Sequence, residues 1–160
     1  MTTDGGFVIV EFQPSGWSRG SYLNVGCMWL WQEKDYLSFD VGHRVENFAP
    51  FENPDQFRIL SEKLAARAAR EVEQYRSLFK TVLDVADYYM KKMPSEFWPS
   101  FHAAVACGAV GRRSAARQFF AHVFESNDDR DWVKHAQTEA AALSSVLDDT
   151  EHFDRWSGRR

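Results

Sequence analysis

Adjacent His43 and Arg44, with Asn24 and Gln13 in neighbouring apolar segments, are the residues best typed for chemistry in this 160-residue chain. An imidazole beside a guanidinium, with side-chain amides nearby, suits an anion or a phosphate, so Asn24, His43 and Arg44 form a candidate ligand-binding set. The competing reading is a sheet-edge pair in which Arg44 meets Asp40. His43, His102, His122, His135 and His152 make no HExxH or other recognised ligand spacing, and His102 and Cys107 lie off the i, i+4 helical register. No metal or cofactor is expected. Cys107 sits among alanines rather than beside a base, and it reads with Cys27 as a free buried thiol in a cytosolic protein. No residue is assigned a catalytic role.

Two further groups could receive a partner. Arg112, Arg113 and Arg117 crowd the start of a helix, a poor place for cations unless an acid meets them. They suit an acidic peptide or a phosphate, or an internal pairing with the acidic turn of Asp128, Asp129 and Asp131. The run Trp29-Leu30-Trp31, with Trp17 in the loop beside it, points to an exposed aromatic patch for a protein partner. A missing helix, or a second copy forming a homodimer, is the alternative cover.

A change of periodicity near residue 50 defines the elements that must position these groups. Residues 7–13, 21–31 and 36–45 alternate in twos and read as an antiparallel meander over 7–45. Leu23, Val25, Cys27, Trp29 and Trp31 share one face of the second strand; Leu37, Phe39, Val41, His43 and Val45 share one face of the third. Asn53 or Asp55, with Pro54, begins covering helices over 54–92, whose first stripe is Phe57, Leu60, Leu64, Ala68, Val72 and Tyr75. A break falls near Ser77–Thr81, with Thr81 and Asp84 opening the next helix. Residues 95–156 read as a helical array. In it a small-residue helix ends at Gly111, Phe119, Phe120 and Val123 fill against it, and Trp132, Ala136, Ala140, Leu143 and Leu147 line a third member. Phe153 and Trp156 could dock on the same stack. The fold class is α+β, in a single domain spanning 1–160.

Gln13, Asn24, Gly26 and Arg44, together with the segment AAVACGAVGRRSAARQFF, resemble the family called domain of unknown function 4304 over roughly residues 7–125. The resemblance implies a sheet with a helical second half and brings no established activity. That family opens with a helix, whereas this chain opens with MTTDGG. The same helical segment looks like one helical hairpin of the tetratricopeptide class, without a second copy at a 34-residue offset.

Composition narrows the function classes. A net charge of −4 argues against general nucleic-acid binding, and no apolar run reaches the length of a bilayer span. The N-terminus lacks a signal-peptide pattern. The leading expectation is therefore a non-enzymatic protein-interaction module of the cytoplasm, of bacterial type. Its specific form is an immunity or accessory protein that binds a toxin or effector. The alternative is a small-ligand or phosphate-binding protein, or an enzyme, centred on Asn24, His43 and Arg44.

Overall fold

The computed structural model describes residues 2, 3, 5–32, 34, 36–149 and 153. The fold is α+β. Three long antiparallel strands, β2 (Gly6–Pro14), β3 (Gly20–Trp29) and β4 (Val41–Pro50), form a sheet with the two-residue β1 (Thr2–Thr3) at its edge, in the order β1-β2-β3-β4. Five helices follow: α1 (Pro54–Leu78), α2 (Val82–Lys92), α3 (Phe97–Ala109), α4 (Arg113–Phe124) and α5 (Asp131–Ser145). The chain divides into two compact units. The first comprises Met1–Met28 and Lys34–Lys80, the second Trp29–Glu33 and Thr81–Arg160.

In the first unit, alternation along β3 buries Leu23, Val25 and Cys27 completely. Helix α1 packs against β2 and β4, burying Leu64, Ala68 and Tyr75 from the expected stripe. Asn53 caps it: its Oδ1 accepts from the Gln56 N–H at 2.9 Å, and Pro54 follows at the first turn. The third strand is displaced from its expected place, running over Val41–Pro50 instead of 36–45. Lys34 is the cause. Its Nζ reaches Asp40 Oδ1 at 2.7 Å and Ser38 Oγ at 2.8 Å, with both charged side chains only 6% exposed. That buried pair ties Lys34 to Ser38 and Asp40 ahead of β4, and Tyr36 and Leu37 are exposed. It also removes the Asp40–Arg44 contact expected from the sequence. The register of β4 against β3 shifts twice, between Ser21 and Leu23 and between Leu23 and Asn24, as β-bulges do. Bulges and Pro50 on an edge strand oppose further strand pairing.

The second unit is built on α3. Every residue from Ser100 to Cys107 is buried, and its alanines admit α4, whose Ala116, Phe119, Phe120 and Val123 are buried in turn. α3 ends in a Schellman turn. Gly111, at φ 76°, donates its N–H to Gly108 O at 3.0 Å, while the Arg112 N–H reaches Cys107 O at 2.8 Å. α2 begins with the expected capping box of Thr81 and Asp84 and packs against α3. On α5 the buried stripe is Val133, Ala136, Ala140 and Leu143; Val133 takes the place expected for Trp132, which is half-exposed. Phe153 is buried; Trp156 and His152 lie outside the described residues.

Candidate functional site

The outer face of the sheet gathers four polar side chains from three strands. Asn24, central on β3, donates through Nδ2 to Glu11 Oε2 at 2.8 Å and to Gln13 Oε1 at 3.2 Å. Arg44, opposite Asn24 in the β3–β4 register, donates from Nε to Asn24 Oδ1 and from Nη2 to Gln13 Oε1, each at 3.4 Å. Its guanidinium lies 4.1 Å over the Tyr22 ring, and Tyr22 in turn tilts against Phe48 at 5.7 Å. Long amide hydrogen bonds and an aromatic face hold the cation, and among the described residues no carboxylate pairs with it. Phe48 beside Tyr22 and Phe39 beside Gly26 are each more than one-third exposed. Gly26 matters to the face. A Cβ there would stand 2.5 Å from Val41 O and 2.7 Å from the Phe39 ring, so only glycine lets that strand and ring approach.

His43 does not join this set. Neighbouring residues of a strand point to opposite faces, and His43 turns toward α1, where Nδ1 lies 3.1 Å from Tyr75 Oη and Nε2 lies 3.6 Å from Glu71. The structure therefore brings Asn24 and Arg44 together and parts them from His43, so the three do not form one ligand pocket.

The aromatic patch is also corrected. Trp29 is fully buried and Trp31 nearly so, in the second unit. Trp29 Nε1 donates to Tyr89 Oη at 3.0 Å, and Trp31 Nε1 donates to His102 Nδ1 at 3.1 Å. Because Nδ1 accepts, the His102 proton resides on Nε2. The two indoles stack at 5.1 Å; further along, His102 stacks on Trp98 and Trp98 on Trp132. Of the three expected indoles only Trp17, 97% exposed, is left for a partner.

The arginine cluster is neutralised within its own unit. Arg112 pairs with Asp87 at 2.6 Å, and Arg117 pairs with Asp148 at 2.8 Å. Arg113 Nε donates to Leu147 O at 2.9 Å. The acids come from α2 and from the turn after α5; the Asp128 carboxylate is instead held by Arg130, which keeps it below the usual carboxylate range.

Both thiols are unsuited to attack. Burial, reinforced by Asp40, pushes Cys27 up to about 12, and burial raises Cys107 to about 11 against the opposing pull of Arg112. Among the described residues, no group of three or more His, Cys, Asp or Glu side chains is placed to hold a metal. No helix of the described residues is long and apolar enough to cross a membrane.

The sequence reading missed one feature of the first unit. Between β4 and α1 lies a groove of about 320 Å³, lined in part by Lys63, Arg67 and Arg70. Those cations recur at i, i+4 and i+7, a spacing that places them on one helical face and was readable as such.

Comparison with protein-family models, with curated proteins and with solved structures returns no match for this chain.

Proposed function

We propose that this chain is a non-enzymatic protein-interaction module whose partner surface is the outer face of the sheet. Supporting this is one observation above others: Arg44 rests on an aromatic ring and on neutral amides, and that ring tilts against the part-exposed Phe48. Arginine and aromatic side chains with this character dominate binding energy at protein interfaces, and a cation without a carboxylate partner favours an acidic group on the incoming surface. The likeness of Gln13, Asn24, Gly26 and Arg44 to the family called domain of unknown function 4304 is part of the same proposal. These four lie on the strands that build the face. The narrower form, in a bacterial cytoplasm, is an immunity or accessory protein that occupies a toxin or effector.

The test uses the tagged full chain to capture its partner from the native host. Arg44→Glu and Tyr22→Ala are expected to lose the protein that the unaltered chain retains, with unchanged melting temperatures, while Arg117→Ala keeps it. Retention by both face variants, or no specific partner, overturns the proposal. Rescue of cells poisoned by that partner, abolished by Arg44→Glu, supports the narrower form; absence of rescue removes it.

A further inference from the structure

We infer that the groove between β4 and α1 binds a linear amphipathic anion, an aliphatic chain ending in a carboxylate. The groove lies wholly within the first unit and meets the outer sheet face at Phe48. Its floor is apolar: Ala49 and Leu64 are almost completely buried there, and Leu60 extends the surface. Phe48 and Pro50 supply the strand-side wall. Along the helix side stand Lys63, Arg67 and Arg70.

The charge there is unbalanced. Among the described residues Glu46 is the only acid lining the groove, and it is committed to Arg67 at 2.6 Å. Elsewhere on α1, Arg58 meets Glu62 and Arg76 meets Glu73. Lys63 and Arg70 have no carboxylate partner among the described residues, although the chain as a whole carries a net charge of −4. Two cations left over an apolar floor are complementary to a negative head on an apolar tail. Size selects the class further. A space of 320 Å³ falls at the small end of ligand sites and holds about ten waters. It is large enough for a single medium-length chain.

Sodium decanoate titrated into the full-length chain at low salt tests this, by calorimetry and by amide chemical shifts. The expected result is saturable one-to-one binding, with shifts centred on Ala49, Leu60 and Leu64. Affinity should climb from hexanoate to decanoate by at most about fourfold per added methylene. It should weaken as salt screens the head group. Lys63→Ala with Arg70→Ala is expected to cost at least fivefold in affinity with an unchanged melting temperature, and decanol should bind at least fivefold more weakly than decanoate. The inference is overturned if decanoate gives no saturable signal, if decanol binds as tightly, if the double variant keeps full affinity, or if hexaglutamate displaces decanoate.

Discussion

The two units spend their residues differently. Helix α3 of the second unit hides eight consecutive side chains, whereas α1 of the first, at 25 residues, hides only three. A helix hydrophobic all round is committed to packing; one with a narrow buried stripe keeps most of its circumference for something else. Stability should therefore concentrate in the second unit, and recognition in the first. That contrast makes the effects of substitutions easy to rank.

The largest effect is expected at Phe101, fully buried on α3. Phe101→Ala should cost about 3–5 kcal/mol in a denaturant titration, while Ile59→Ala on the open flank of α1 should stay within about 0.5 kcal/mol. Equal losses would erase the contrast. Next comes a crowded point of the sheet: Gly26→Ala forces a methyl against the Val41 carbonyl and should cost about 1–3 kcal/mol. Thr81→Ala, which removes a capping box at the head of α2, should lower stability by about 1 kcal/mol. Smallest on stability is Arg44→Ala, within about 0.5 kcal/mol, since it breaks long amide contacts and an exposed stacking contact on Tyr22.

Alkali sharpens the comparison from another side, because each unit carries one buried thiol. Cys27 and Cys107 stay protonated in the fold well above the 9.0 of a free thiol. Above that pH the unfolded chain releases protons that the folded chain retains, so stability falls as pH rises from about 9 toward 11. Replacing both cysteines by alanine should flatten this slope in melting curves, and iodoacetamide should label the native chain only on opening.

Local signals in the sequence were read correctly where the structure is local. Asn53, the Thr81–Asp84 box and Gly111 mark helix boundaries by chemistry confined to a few residues, and all three act where expected. The buried face of β3 was legible from strict alternation. Long-range partners were not. Trp29 and Trp31 are engaged by residues 60 and 71 positions away, which no periodicity reveals, so their indoles were mistaken for a surface. Lys34 and Asp40 moved β4 by trapping an apolar-looking stretch in a loop, another effect invisible to a two-residue repeat. The grouping of His43 with Arg44 failed for a simpler reason: adjacent residues on a strand diverge, and side-chain type outweighed that rule. Arg44 with Asn24, by contrast, was a correct juxtaposition. The groove on α1 is not legible in the sequence because its strand-side lining, from Glu46 to Pro50, joins Lys63, Arg67 and Arg70 only in the fold.

One strand residue belongs to the unit beyond its own sheet. Trp29 and Trp31 precede α1 in the chain, yet they complete the interior around His102 and Tyr89. A nick at the α1–α2 junction therefore cannot release an intact C-terminal fragment: residues 81–160 alone would leave the His102 acceptor and the Tyr89 hydroxyl facing a vacated slot. Split-protein complementation should work only when the N-terminal piece supplies both indoles in trans.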